Sequence, residues 1–561
     1  MIIDLRLIIS LLLLTFFHQS NGQFSDCNFR SPVNNAIRSS GSFGEPRSRH
    51  FHGGIDVKPR LGEGRDSIFS IGDGFVSRVL IAPDGYGQAV YIDHPCGHTS
   101  VYAHLHQFSP AIEEYTDKVR VATKKSQIDQ YPPANAIRIK KGDFIGFMGN
   151  SGSSFGAHLH FEIRNTKSET PINPVLFGIG PKDKIPPVIR GVLVYELDNE
   201  KKVMAQTYFP AVRNGTNEYV LSENDIITSW PLIGFGVHVF DQSNGAANHN
   251  GIHKLKYEVN GEPRFSFSID SIPFHLSHYL HAHMDYAFKK NNKYVHKCFK
   301  DDDNQLSIYQ FPNPGAILIP NEIVADQVEI KTADIFGNQS SVKFRIKGDK
   351  RTFNSDAIHE KVNVLKKDTV VLESGKFKIS FPSRTFLNNE TIIIQDSLLS
   401  LDINATKQFI PLFKNYAVEI DLQDVKHHFD DLNKITFTRK KDNGEIVNLG
   451  GKKSEQTFRM TSSNLGPVEL VEDKTAPEIS VLNINRFTNV AFRVVDNFTT
   501  QGKSTRIKYE CLVDNQWVPV EYDEKNDIMR IKKKWILKGK VLSLSVSDFN
   551  GNTASKEITL R

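Results

Sequence analysis

From Phe155 the chain reads FGAHLHFEIRN, with apolar and polar positions alternating almost one for one. A period of two predicts a strand. Leu159, Phe161 and Ile163 then share one face, and His158, His160, Glu162 and Arg164 share the other. The same alternation runs through TSVYAHLH, where His104 lies opposite Val101, Ala103 and Leu105, and through QAVYIDH just before it. Helical periodicity is nearly absent from residues 23 to 180. The rest of the chain repeats the pattern: short alternating runs parted by Asn-Gly turns, which predict antiparallel strands. The fold class expected is mainly β.

Boundaries follow from composition and from an internal repeat. The prolyl stretch GPKDKIPPVIRGV suits a linker rather than the interior of an element. DKIPPVIRGV from Asp183 resembles DKTAPEISVL from Asp473. FGVHVFDQSNG corresponds to VAFRVVDNFTTQG, and each series closes on a D-x-x-G-N turn, at Asp334 and at Asp548. Two sandwich-like units sharing one plan are expected, with a third β-rich unit between them. The division expected is a leader at 1–22, a histidine-rich unit at 23–180, and β domains at 181–348, 349–470 and 471–561. Plain β modules that anchor or orient are the reading for the last three. The N-x-[ST] sites at Asn214 and Asn404 are too common by chance to carry weight.

A chain of 561 residues is too long for one core, in keeping with about three or four domains. A net charge of +5 without a polybasic run points away from nucleic acid. The apolar run Leu7–Phe17 is too short to span a bilayer, which takes about twenty residues. Followed by Ser20-Asn21-Gly22, it reads as a secretory signal cleaved after Gly22, hence an exported protein with no remaining membrane span. Export permits disulfides. Of the four cysteines, Cys27 and Cys96 are the pair expected to share a domain, but their spacing alone decides neither a bridge nor free thiols.

The chemistry concentrates in the first unit. In RHFHGGIDVKP, His52 and Asp56 stand four apart around Gly53-Gly54, which disfavours a helix, yet even spacing keeps both on one side of an extended chain. Imidazole nitrogen and carboxylate oxygen are both zinc ligands, and His160 could supply a third, leaving one position for water. His104 and His158 would remain beside that water for proton transfer and oxyanion stabilisation. The glycine-rich GNSGSSFG lacks a P-loop lysine and feeds a strand, so a turn admitting close backbone approach is the better reading.

Taken together, GSFGEPRSRHFHGGIDV, IFSIGDGFVSRV, GYGQAVYIDH, TSVYAHLH, IKKGDFIGFMGNSGSSFGAHLHFEIRN and PINPVLF resemble the lysostaphin-like, LytM-type zinc endopeptidases of bacterial cell walls. The resemblance covers residues 41 to 177. It implies an antiparallel sheet with the site in a groove, Zn2+ on His52, Asp56 and His160, and His104 and His158 as catalytic histidines. It implies peptidoglycan peptide as substrate, with cell-envelope proteins as partners for the β domains. His50, His94, His98 and His106 fall outside the pattern and read as structural or groove-lining. Residues 107–139 are longer than the family's usual connection; a lid, a substrate wall and an inhibitory plug are the alternatives. Two other functions stay open: a non-catalytic wall-binding module that activates another hydrolase, and a peptidase of secreted proteins.

Overall fold

The computed structural model describes residues 27–198, 203–228, 230, 232–310, 315, 317–318, 326–348, 362–364, 367–405, 410–485, 489–500, 506–536 and 541–560. The leader expected at residues 1–22 lies outside them. Alternation becomes strand throughout the first unit: Ser39–Gly41 (β1), Ile55–Val57 (β2), Ser67–Phe69 (β3), Gly74–Ile81 (β4), Gln88–Asp93 (β5), His98–Ala103 (β6), Leu105–Phe108 (β7), Ile128–Gln130 (β8), Arg138–Ile139 (β9), Phe144–Met148 (β10) and Leu159–Asn165 (β11). The main sheet runs β1-β2-β11-β6-β5-β4-β8, and a smaller one runs β3-β10-β7. Leu159, Phe161 and Ile163 enter the core between them, with Ile68, Val76, Val90, Tyr102 and Ile145. The opposite face of β11 is buried as well, which the alternation did not foretell. Cys27 and Cys96 form a disulfide, and Cys298 and Cys511 are free and buried.

Beyond residue 180 the chain remains β. A ten-stranded sheet is followed by sheets of seven and five strands and then by two of four. The large apolar cores divide accordingly. One of them crosses a boundary. Phe43 and Phe51, from the segment carrying His52, are buried with Ile269, Leu280 and Phe267 of the ten-stranded unit. The Phe51 amide donates to Ser277 Oγ at 2.9 Å, and Gly44 sits so close to Ile269 that a Cβ would lie 2.5 Å from its Cγ2.

Residues 107–139 hold the one long helix among the described residues, Pro110–Thr123, entered through a proline at the first turn and ended by Lys124 in the left-handed region. It lines no part of the histidine groove. Instead it receives the last domain. Glu113 pairs with Lys532 (3.0 Å) and Lys534 (2.8 Å), buried Arg120 reaches the Val520 carbonyl at 3.4 Å, and the Val520 amide donates to Ser126 Oγ at 2.9 Å. Nearby, Arg506 pairs with Asp84 at 2.8 Å, and Lys525 donates to the carbonyls of Asn150 and Gly152.

Removing the Phe51 ring would empty a shared core. Phe51→Ala should cost about 3–5 kcal/mol, read as an earlier first transition in urea. An unchanged transition would show that the two units do not depend on each other here.

Candidate metal centre

The site is built from cross-strand register. His160 in β11 stands directly opposite Asp56 in β2, and on its other side opposite Ala103 in β6. The residue after Ala103 is His104, at φ 60°, a conformation that non-glycine residues seldom adopt and that accompanies function when surroundings enforce it. Its amide donates to the Tyr86 carbonyl at 2.9 Å. His158 precedes β11 in an isolated bridge to Gly149. The glycine of the H-x-G-x-D pattern has a steric origin: a Cβ on Gly54 would lie 2.2 Å from the Phe161 carbonyl oxygen. Gly41 likewise makes room, since a Cβ there would lie 2.6 Å from Asp56 Oδ2.

His52, Asp56 and His160 are all buried and meet closely. Asp56 Oδ1 is 3.0 Å from His52 Nε2 and 3.0 Å from His160 Nδ1, and the two nitrogens are 2.9 Å apart. His158 Nε2 lies 3.5 Å from the same oxygen. The His104 ring centroid is 4.8 Å from that of His158 and 5.8 Å from that of His160.

Outer hydrogen bonds fix which nitrogen of each ring carries the proton. Carbonyl and carboxylate oxygens only accept, so the nitrogen facing them donates. His52 Nδ1 donates to the Ser42 carbonyl at 2.8 Å, His104 Nδ1 to that of Ser151 at 2.8 Å, and His158 Nδ1 to that of Gly156 at 2.8 Å. His160 Nε2 donates to Glu162 Oε1 at 2.7 Å. Every neutral ring therefore turns a lone pair inward. Two lone pairs and a carboxylate oxygen at 3 Å separations repel unless something positive sits among them. The donor set, two imidazoles and one carboxylate whose outer atoms are held by hydrogen bonds, is that of a divalent metal site with an open position.

The electrostatics agree. Burial disfavours charge on His160, yet hydrogen bonds and charge from Asp56 and Glu162 outweigh it and raise its pKa to about 9. In the metal-free protein a proton thus stands in for a cation. Burial opposes the Asp56 charge too, but the neighbouring imidazoles of His52, His158 and His160 hold its carboxyl well below the usual range. Burial, with help from His160 and His158, depresses His104 to about 3, so that it is a neutral base at ordinary pH.

Several contributors were not singled out from sequence. Glu162 and Arg164 were placed on the histidine face without a role. The structure gives Glu162 the His160 proton, a 2.6 Å ion pair with Arg164, and a 2.6 Å hydrogen bond from the Tyr86 hydroxyl. Arg47 binds Asp56 Oδ2 at 2.7 Å, so one oxygen is neutralised while the other faces the histidines. Of the histidines read as structural or lining, His50 borders the groove, and burial pulls its pKa down to about 4. His94 is fixed between the Asp73 carbonyl and Ser100, His98 lies 3.4 Å from Cys27 Sγ, and His106 faces Glu63. The groove is a cavity of about 1210 Å3 walled by Tyr86, Phe155, Asn248 and Phe274 around the four central histidines.

Residues 50–125 match the model of peptidase family M23. The first unit is an M23-family peptidase domain. The match includes His52, Asp56 and His104, and the fold brings His158 and His160 beside them. Over 91 residues, 16% of the chain, the sequence is 35% identical to the DD-carboxypeptidase/endopeptidase Mpg of Neisseria meningitidis serogroup B, and equally to that of Neisseria gonorrhoeae. The chain spans only 15% of the length of these relatives. The catalytic domain of lysostaphin from Staphylococcus simulans is 21% identical, with 25% of this chain and 91% of that one covered; its TM-score of 0.19 is too low to support any inference.

Because a metal must displace the His160 proton below its pKa of about 9, zinc affinity should rise about tenfold per pH unit from pH 6 to 8 and flatten above 9. Chelator competition measures this, and a flat profile would refute it. Glu162→Gln should weaken zinc binding by about 10–100-fold, whereas unchanged affinity would show that the carboxylate does not orient His160.

Proposed function

We propose that this chain is an exported zinc metallopeptidase that hydrolyses peptide bonds of peptidoglycan. His52, Asp56 and His160 hold the metal, and His104 and His158 assist the chemistry. The observation carrying this reading is the convergence of one carboxylate oxygen and two imidazole lone pairs within about 3 Å, beside two further inward-facing imidazoles. Family membership and the peptidase names of the Neisseria relatives support the reaction class and the substrate. The leader at 1–22 supports export, and we read 23–180 as the catalytic domain and 181–348, 349–470 and 471–561 as modules that hold it to the envelope. Among the described residues no helix is long and apolar enough to cross a membrane.

Zinc bound there supplies Lewis acidity toward a water and toward the scissile carbonyl. The chain does the rest. His104 and His158 can accept the proton lost by the attacking water and return one to the departing amine. Protonated or hydrogen-bonding imidazole also stabilises the oxyanion that develops on the carbonyl oxygen. Carbonyl anchors at Ser151 and Gly156 keep both rings aimed, so little reorganisation is required as charge moves. The peptide lies in the groove between Tyr86 and Phe274, where the fully exposed ring of Phe155 gives an apolar rim.

Digestion of isolated sacculi followed by mass spectrometry of the fragments tests this. The zinc-loaded protein should release peptide-cleaved fragments, chelation should abolish release, and His160→Ala should lower both zinc content and rate by at least about a thousandfold. Digestion undiminished in His160→Ala would refute the reading, and cleavage of a glycine-rich protein but not of sacculi would reassign the substrate.

A further inference from the structure

The sequence repeat beyond the peptidase domain carries a second chemistry. In each copy three aspartates meet at one end of the sheets, at corresponding positions. Asp183 and Asp473 each stand shortly before the first strand of their unit, Val188–Leu197 and Glu478–Asn485. Asp241 and Asp496 directly follow the strands that pair with these, Leu232–Phe240 and Asn489–Val495. Asp334 and Asp548 open the D-x-x-G-N turns after Asp326–Ala333 and Val541–Ser547. In both copies one oxygen from each aspartate lies within 4.8 Å of the others.

Among the described residues no ion pair balances these charges, although Lys434 lies near enough to Asp473 to favour its ionised form. Asp183, Asp241, Asp334, Asp473 and Asp548 are each more than nine-tenths buried. Asp183 Oδ2, Asp241 Oδ1 and Asp473 Oδ2 are buried without any hydrogen-bond partner, as is Oδ1 of Asn250, whose backbone bridges that of Asp241. Among the described residues no lysine or arginine forms an ion pair with any of the six aspartates. Lys434, beside the second copy, donates instead to Asn552 Oδ1 at 2.8 Å. The remaining oxygens accept from local donors: Asp334 from the amides of Phe336 and Asn338, and Asp548 from Asn552. That arrangement aims the carboxylates without neutralising them. Burial and the neighbouring aspartates push the Asp241 carboxyl up to about 9 and that of Asp496 to about 7, a measure of what the uncompensated clusters cost.

We propose that each trio binds one calcium ion. An all-oxygen, multiply anionic donor set is that of a hard cation, and three carboxylates converging from loops suit the larger, flexible coordination of calcium better than the strict octahedron of magnesium. The first site borders a cavity of about 30 Å3, room for a single ion or water, whose walls combine Ser39, Ser42 and Asn173 of the peptidase domain with Asp241, His253 and Asp334. The second joins the middle and last units: Asn552 also donates to the Asp473 carbonyl, and Asn550 to the carbonyls of Lys434 and Ile435. Each ion thus stiffens a junction. The first does so next to Ser42, whose carbonyl orients His52 and whose hydroxyl accepts from the Gly251 amide.

The test uses the full chain, stripped with chelator and titrated with calcium chloride by calorimetry and thermal melting. Wild type should bind two calcium ions, Asp241→Asn and Asp496→Asn one each, and the double variant none. His160→Ala should retain both. Calcium should raise the melting temperature of wild type, with magnesium at equal concentration raising it less. In chelator the order of stability should reverse, each Asn variant melting above wild type because it removes an acid that must either take up a proton or stay charged and unpaired, and this reversal also shows that the variants fold. Absence of bound calcium, with the variants equally stabilised in chelator and in calcium, would overturn the proposal and leave the aspartates as protonated carboxyls.

Discussion

The candidate centre depends on four hydrogen bonds that point away from it. An imidazole can ligate a metal or accept a proton only through the nitrogen that lacks one, and in each of the four rings the choice is made from outside. Three backbone carbonyls and one carboxylate occupy the outer nitrogens, leaving the inner ones free. The proposed metal position and the proposed proton-transfer pair therefore arise from one device, applied on both sides of Asp56. The device in turn needs carbonyls held in place: that of Ser42 by a segment rooted in the neighbouring core, and that of Ser151 by a glycine turn against β7.

Charge is balanced in pairs around the same point. Arg47 takes one oxygen of Asp56, and Arg164 takes one oxygen of Glu162. Each carboxylate is left with a single oxygen for a histidine. A buried carboxylate without such a partner would be expelled or protonated, so the two arginines make it possible for the site to be both buried and anionic. The aspartate trios of the β domains show the opposite condition, with converging acids and, among the described residues, no ion pair to offset them.

Much of the catalytic unit was legible in the chain. Period two in FGAHLHFEIRN placed His160 on the face that meets Asp56, and Gly53-Gly54 pointed to an extended rather than helical link between His52 and Asp56; that Gly54 is also needed for the close approach of the Phe161 carbonyl was not legible. The roles of Glu162, Arg164 and Tyr86 were not legible, because a charged residue on a polar strand face looks solvent-exposed until both faces are seen to be covered. Residues 107–139 were harder still. Their helix lays Ile112, Tyr115 and Val119 on the core of its own unit, but what its other face meets belongs to a domain some 400 residues away in sequence, as in the contact of Arg120 with Val520.

That distant contact makes the molecule a closed circuit. The final domain folds back onto the first, and Lys525 grasps the carbonyls on either side of Ser151, the residue that aims His104. Single contacts of this kind, and half-buried ion pairs such as that of Glu113 with Lys534, are each worth only about 1 kcal/mol. Within one chain their partners are held at high effective concentration, and several weak clasps together can keep the circuit shut. The geometry around His104 is thereby a property of the whole polypeptide, sensitive to an intact tail as much as to its immediate neighbours.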